Sequence, residues 1–270
     1  MRRGILTKDY KPDRSKNRMK HEGDVIRARE NFLVNPSNNL KFLLKNRYSW
    51  MNKYILTQAK GLEVGCGSGL SKFFINNKSF LLTDFSDNSW LDVKNVDALA
   101  TQFEDNHFDF VISSNMLHHV PYPLRFLKEM HRILKVGGVL LIQEINASLF
   151  MRLILRFMRH EGYSFSPDVF DEKVICTDKN NLWDANCAIP NLLFDDYKRF
   201  QKNVPYFKIS YQSFEEFFIF LNSGGVIAKT AYLPLPTFLL KGLKFLDDIL
   251  AKTLPKVFAL QRRVVLEKIS

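Results

Sequence analysis

Gly61-Leu62-Glu63-Val64-Gly65-Cys66-Gly67-Ser68-Gly69-Leu70-Ser71 begins as an apolar strand and breaks into three glycines at alternate positions. It turns apolar again at Leu70, where a helix is expected to run to about residue 76. Glycine is needed where a side chain would block the approach of the backbone to a ligand. Such a loop aims its amide N–H groups into the crevice beyond the strand ends of an open α/β sheet. Alone, a G-x-G-x-G is a weak signal, so its surroundings decide. Asp84 closes the next apolar run, Leu81-Leu82-Thr83-Asp84, about twenty residues beyond the first of these loop glycines. A carboxylate at that point can accept from both hydroxyls of a ribose. Asp97, in Asn95-Val96-Asp97-Ala98, follows a further strand and could accept from an adenine amino group. Each aspartate alone reads more simply as a turn or cap residue; the combination is more specific.

Working outward, strands are expected at about 60–64, 79–83, 90–95, 108–113, 139–143, 226–233 and 263–268, with helical segments between them. The clearest helix covers about 123–134, where Leu124, Phe126, Leu127, Met130 and Ile133 form one apolar face. Gly137-Gly138 then ends the helix and a strand follows at once. Alternation of strand and helix predicts a mostly parallel sheet covered on both faces. It stops near Ile145, and the mixed stretch beyond is too long for a structureless loop, so a helical insertion or lid is expected there. Before the first strand, helices broken near Asn35-Pro36-Ser37 are expected to cover a sheet edge or close over a ligand.

The segment 60–144, about a third of the chain, resembles a class I S-adenosylmethionine-dependent methyltransferase of the group that methylates small molecules, lipids and sugars. The matching pieces are Glu63 to Gly69, the strand ending at Asp84, Asp97-Ala98, Phe108 to Val120, and Leu134 to Leu140. The resemblance implies an α/β, Rossmann-like, doubly wound, mostly parallel seven-stranded sheet with helices on both faces and a helical insertion after the fifth strand. Residues 1–56 would be a basic arm and covering helices, and 57–270 the methyltransferase domain, with a lid or substrate region at about 145–222. S-adenosyl-L-methionine would be the cofactor. Gly65, Cys66, Gly67 and Gly69 would wrap its methionine part, with Glu63 near the amino group. Asp84 would hold the ribose and Phe85 pack on adenine. Asp97 and Ala98 would read the adenine edge, and Ser114, Asn115 and Met116 would line the floor beside the sulfonium. A nicotinamide dehydrogenase also uses glycines and a ribose carboxylate, but its G-x-G-x-x-G places the third glycine one residue later than Gly69.

Methyl transfer asks the protein to position an acceptor and sometimes to take its proton. His119 is the candidate base, ahead of His118, because both follow the fourth strand at the active end of such a sheet. Both also read as structure around a short helix. Glu144, His160, Tyr163 and Asp168 are weaker candidates. Cys66 reads as a small residue in a crowded loop rather than a nucleophile. Cys66, Cys176 and Cys187 form no CxxC pair, so neither disulfide nor metal is expected, and a reducing cytoplasm is the simplest compartment.

With 46% hydrophobic and 25% charged residues, the composition is that of a folded protein rather than a disordered one. Met1-Arg2-Arg3-Gly4 is basic but no apolar segment follows, so no secretory signal is expected. No uncharged apolar run reaches the roughly 18 residues of a spanning helix. Of the net charge of +11, the first twenty residues carry +6, from eight basic residues against Asp9 and Asp13. That arm is either a solvated leader or a phosphate-seeking segment. The Asn/Asp-Pro-Pro-aromatic element of base methyltransferases is absent, so nucleic acid is disfavoured as a partner. Two amphipathic stretches, 148–160 with Arg152, Arg156 and Arg159 and 237–254 with Lys241, Lys244 and Lys252, would either pack on the domain or lie in a membrane interface. The expected acceptor is a small molecule, first a sugar or lipid-linked glycan intermediate at the inner face of a membrane. Trp183, Phe194, Tyr197, Phe200, Tyr206 and Phe207 would stack on its rings or cover its tail. The alternatives are a small aromatic or quinone-like metabolite, then RNA, then an inactive binding module.

Overall fold

A computed structural model describes residues 7–18, 24–227 and 230–270. The strands are β1 (Asp9–Tyr10), β2 (Gly61–Val64), β3 (Leu81–Leu82), β4 (Phe108–Ser114), β5 (Leu134–Ile145), β6 (Tyr163–Ser164), β7 (Phe207–Glu215) and β8 (Gln261–Lys268). The helices are α1 (Val25–Val34), α2 (Asn38–Ser49), α3 (Pro123–Ile133), α4 (Leu149–Met158), α5 (Ile189–Phe194), α6 (Tyr197–Asn203), α7 (Phe218–Leu221) and α8 (Thr237–Thr253).

The central sheet runs β3-β2-β4-β5-β8-β7. Neighbours from β3 to β5 are parallel, while β8 is antiparallel to both β5 and β7. This is the Rossmann-like α/β sheet expected, closed at one edge by an antiparallel hairpin. Its seventh position is a single parallel bridge, Thr83 to Val93, where a strand was expected at 90–95. The cause is local. The Asp92 carboxylate accepts the Leu82 N–H at 2.8 Å, taking a donor that a neighbouring strand would use.

Two expectations fail at the other edge. The described residues of 226–233 form no strand; Ala228 and Lys229 lie outside the described residues. Val226 and Ile227 turn instead into the central cavity. The missing strand is β7, which lies inside the region read as an insertion. It pairs with β8 from Phe207–Lys268 to Glu215–Gln261, so the inserted elements end before Phe207. Gly137-Gly138 also differs from expectation. It lies within β5, where the register against β4 shifts between Phe108 and Phe110.

Both faces of the sheet are dry. On one, α3 buries Phe126, Leu127, Met130 and Ile133 against Val111, Leu140 and Val264. Full burial of each such side chain contributes roughly 1.5–3 kcal/mol. On the other, Met51, Ile75 and Phe80 pack on Phe110, Ile112 and Leu141. The N-terminal helices join this framework through Phe32, Leu44 and Leu70. Asp24 caps α1 by accepting from Arg27 N, and Ser37 caps α2 by accepting from Leu40 N. A buried ion pair, Arg47 to Glu216 at 2.8 Å, ties α2 to the chain just after β7.

Of the basic arm, Arg2, Arg3 and Lys20 lie outside the described residues. The part from 7 to 18 is held by the insertion: β1 pairs with β6, and the Asp9 carboxylate accepts from Ser164 Oγ at 2.6 Å.

Candidate cofactor and acceptor site

The glycine loop leaves β2 with positive φ at Gly65 (60°) and Gly67 (51°), a conformation that disfavours side chains. At Gly65 space is lacking as well, since a Cβ would lie 2.3 Å from Met116 Cγ. The Asp84 carboxylate fixes the loop: Oδ2 accepts from Gly67 N at 2.9 Å and Oδ1 from Ser86 N at 3.0 Å. Trp90 Nε1 donates to the Gly67 carbonyl at 3.0 Å, and Arg29 Nη1 to the Ser68 carbonyl at 2.8 Å. These contacts consume the loop carbonyls and leave its concave side facing a cavity of about 1640 Å³.

Most of the residues singled out from sequence meet on that cavity. Gly65, Cys66, Gly67, Asp84, Phe85, Asp97, Ala98, Ser114, Asn115 and Met116 all line it. Gly69 and Glu63 do not. Gly69 packs against Leu82, Trp90 and Arg29. Glu63 is buried behind the loop, where it accepts from the Ser71 hydroxyl. Burial pushes its carboxyl up to about 8, against the opposing pull of Ser71. Burial, with Glu63 and Asp84 nearby, also pushes the Cys66 thiol far up, so it is no thiolate nucleophile. Asn115 has φ 50° and is held by a chain of amides. Trp50 Nε1 donates to Gln143 (3.2 Å), Gln143 to Gln261 (3.0 Å), and Gln261 to Asn115 Oδ1 (3.0 Å).

Past Met116 the chain enters a cluster of titratable groups. His118 Nδ1 lies 2.7 Å from Glu144 Oε2, while the same carboxylate accepts from Leu117 N (2.7 Å) and Ile145 N (2.8 Å). Burial disfavours charge on His118, but Glu144 outweighs it and lifts the imidazole to about 9. His119 Nδ1 meets the Asp184 carbonyl at 3.0 Å. Burial, aided by His118, holds His119 down to about 4. Glu161 stands opposite both, 3.9 Å from each Nε2. Burial opposes its ionisation, yet His160 and the other imidazoles hold it below the usual carboxylate range.

The remaining wall is apolar. Phe150, Leu153, Ile154 and Phe157 of α4, with Phe220 and Leu221 of α7, line the cavity. The first amphipathic stretch packs on the domain through Met151 and Leu155 and also lines the cavity. Of the six insertion aromatics, only Trp183 reaches the cavity. Phe194, Phe200 and Phe207 belong to the core, Tyr206 packs on His131, and Tyr197 is exposed. Among the weaker base candidates, His160 lines the cavity, but Tyr163 and Asp168 do not. Tyr163 is buried and accepts from Arg156 Nε (2.8 Å), and Asp168 pairs with Arg199 at the surface (2.8 Å).

Residues 62–142 match the family model described as a methyltransferase domain. The chain carries a class I S-adenosylmethionine-dependent methyltransferase domain. S-adenosylmethionine is the methyl donor of that family. Two relatives similar to this region are demethylmenaquinone methyltransferases. That of Staphylococcus aureus (strain MRSA252) is 39% identical over 102 residues, 32% of this chain and 42% of its own length. That of Staphylococcus saprophyticus is 35% identical over 103 residues, 32% of this chain and 44% of its own. The matches thus span less than half of these relatives. A solved S-adenosylmethionine-dependent methyltransferase from Archaeoglobus fulgidus shares the fold, with a TM-score of 0.50 at 15% identity, covering 84% of this chain and 93% of its own.

In this methyltransferase domain sequence reasoning missed Tyr48, Trp90, Glu161 and Asp184. Tyr48 and Glu161 line the cavity, Trp90 braces the loop and Asp184 orients His119. Glu161 carried one legible signal, its place beside His160 after an apolar helix that ends in arginines. Nothing local pointed to Asp184, which acts through its backbone carbonyl.

Proposed function

We propose that this methyltransferase domain transfers the sulfonium methyl of S-adenosylmethionine to an aromatic, quinol-like small molecule that carries an apolar tail. One observation carries the reading: a single cavity is lined both by the glycine loop with Asp84 and by the apolar residues of α4 and α7. Ser114 to Met116 line the same cavity and would flank the methyl as it passes. Gly65, Cys66 and Gly67 would hold the methionine part, Asp84 the ribose, Phe85 the adenine face, and Asp97 and Ala98 the adenine edge. Gly69 and Glu63 would act from behind the loop, one by shape and the other by charge.

The ring acceptor is favoured over the lipid-linked sugar expected from sequence because the wall offers aliphatic and aromatic side chains and few hydroxyl partners. Only one of the aromatics thought to stack on a sugar faces the cavity. The Staphylococcus relatives, demethylmenaquinone methyltransferases matched over less than half their length, agree with a quinone-type acceptor. His119 is the acceptor-activating residue. Its Nδ1–H is committed to the Asp184 carbonyl, so Nε2 turns to the cavity side.

Membrane contact belongs to the same reading. Among the described residues no helix is long and apolar enough to cross a membrane. Helix α8, however, leaves Phe238 (71% exposed), Phe245 (66%), Leu239, Leu246 and Ile249 on one outward stripe, flanked by Lys241 and Lys252. Such a stripe fits the interface of an anionic bilayer. The opposite face of α8 holds α7, where Asp247 accepts from the Phe217 and Ile219 amides, and Phe220 and Leu221 of α7 line the cavity.

The test is methyl transfer from labelled S-adenosylmethionine to a prenylated hydroquinone, with a lipid-linked sugar alongside. Turnover of the quinol, reduced about 10²- to 10⁴-fold by His119→Ala with S-adenosylhomocysteine binding unchanged, is the expected result. Turnover of the sugar alone would overturn the acceptor, and full activity of His119→Ala would remove that residue from the chemistry.

A further inference from the structure

The His118, His119 and Glu161 side chains meet on the cavity wall. His119 Nδ1 lies 3.0 Å from the Asp184 carbonyl oxygen, which only accepts, so this nitrogen carries the proton and Nε2 the lone pair. His118 Nδ1 is bound in the same way, 2.7 Å from the Glu144 carboxylate. Glu144 is itself fixed by two backbone amides. Both Nε2 atoms therefore face Glu161, one opposite each of its oxygens, at 3.9 Å. His119 presents a lone pair and Glu161 a carboxylate, while His118, held protonated beside Glu144, would give up its Nε2 proton to a cation; the three ligand atoms lie within 4.8 Å of one another.

A distance of 3.9 Å is too long for a hydrogen bond. It comes close to the ligand spacing that a cation imposes, roughly 3.4 Å for tetrahedral bonds of about 2.1 Å. The outer partners are those that metal-bound histidines use: a carboxylate behind one imidazole and a backbone carbonyl behind the other fix tautomer and ring direction. A cation at the centre would take the place of the His118 proton and would leave coordination positions open toward the cavity, as catalytic zinc sites do. His160 Nε2 lies 3.3 Å from Glu161 Oε1, and Cys187 Sγ donates to Oε2 at 3.3 Å, so the carboxylate too has partners that orient it.

We propose that His118 Nε2, His119 Nε2 and Glu161 bind one divalent transition-metal ion of the zinc type. Its open positions would take an oxygen of the acceptor. Only this last point rests on the acceptor reading given above. In that arrangement His119 acts as a ligand, and the ion draws electron density from the acceptor oxygen and eases loss of its proton to water.

The experiment uses untagged full-length protein, stripped with a chelator and titrated with Co²⁺ under visible absorption, then with Zn²⁺ in competition. One equivalent of Co²⁺ giving ligand-field bands, displaced by Zn²⁺, is expected. Glu161→Gln and His119→Ala should each weaken binding at least tenfold while S-adenosylhomocysteine still binds. Because His118 and its neighbours are buried, X-ray absorption on the zinc-loaded wild type gives a reading that needs no variant. Imidazole scattering with nitrogen and oxygen neighbours at about 2.1 Å is expected; a sulfur-only shell would contradict the site. Absence of stoichiometric Co²⁺ binding, or binding unchanged in both variants, would overturn the proposal. Asp84→Ala separates the two readings, since it should abolish S-adenosylhomocysteine binding and leave Co²⁺ binding intact.

Discussion

Asp84 Oδ2 accepts the Gly67 amide hydrogen at 2.9 Å, so the residue proposed to hold the ribose also holds the loop proposed to wrap the methionine. The contact spans two strand ends, and both residues line the cavity. It makes the two halves of the cofactor pocket one mechanical unit, fastened by a carboxylate whose other oxygen faces Ser86 N.

Gly65→Ala and Gly67→Ala should separate backbone strain from collision. Both positions have positive φ, which costs an ordinary residue about 1–2 kcal/mol. Only at Gly65 would the new Cβ strike Met116, at 2.3 Å; at Gly67 the nearest atom is Val25 Cγ1 at 3.7 Å. Thermal unfolding should therefore show Gly65→Ala the less stable of the two. A lower Tm for Gly67→Ala would contradict the described packing.

Glu63 gives a pH dependence. Its folded value of about 8 lies above the ordinary 4.5, so the folded state binds the extra proton between these values. Through that window, stability falls as pH rises. A cationic ammonium brought near the carboxyl favours its ionised form, so cofactor binding below pH 8 should release a proton, and affinity should rise toward that pH. Calorimetry at one pH in buffers of different ionisation enthalpy reads the release. Identical heats in all buffers would refute it, and Glu63→Gln should flatten both dependences.

Phe157 is 63% exposed yet lines the apolar wall, beneath the Arg18 guanidinium at 4.1 Å from the ring centroid. Phe157→Ser should change stability by no more than about 0.5 kcal/mol. Its effect should fall on the acceptor: KM for a long-tailed quinol rises several-fold while that for a tailless ring stays put. Equal changes for both acceptors would argue that the tail lies elsewhere.

For α8, the paired change Phe238→Ser and Phe245→Ser should release the protein from vesicles containing phosphatidylglycerol in a flotation assay. High salt should weaken the wild-type association as well, because surface charge attraction is screened. Wild-type protein that stays unbound from such vesicles would remove the membrane contact.

What was legible in the sequence is what neighbours along the chain determine. The glycine loop, Asp84, the apolar face of α3 and the β5 run that follows are each written in a few consecutive residues. The right-hand edge of the sheet was not. In β7, Phe207 and Ile209 alternate with Lys208 and Ser210, a modest strand signal inside a stretch full of aromatics. Of the stronger β-branched run at 226–233, Val226, Ile227, Thr230 and Ala231 line the cavity instead. The strand expected at 90–95 shrank because Asp92 hydrogen-bonds in place of a ladder. The His118–His119–Glu161 cluster joins residues more than forty positions apart, and only the path of α4 after β5 brings them together.

The most direct test of the account is calorimetric titration of S-adenosylmethionine and S-adenosylhomocysteine into the wild-type chain and into Asp84→Ala. One site per chain with micromolar affinity, about 8 kcal/mol of binding free energy, abolished by the substitution in a variant that still folds, is the predicted result. A folded wild-type chain that takes up neither compound would contradict the assignment of this cavity to the cofactor.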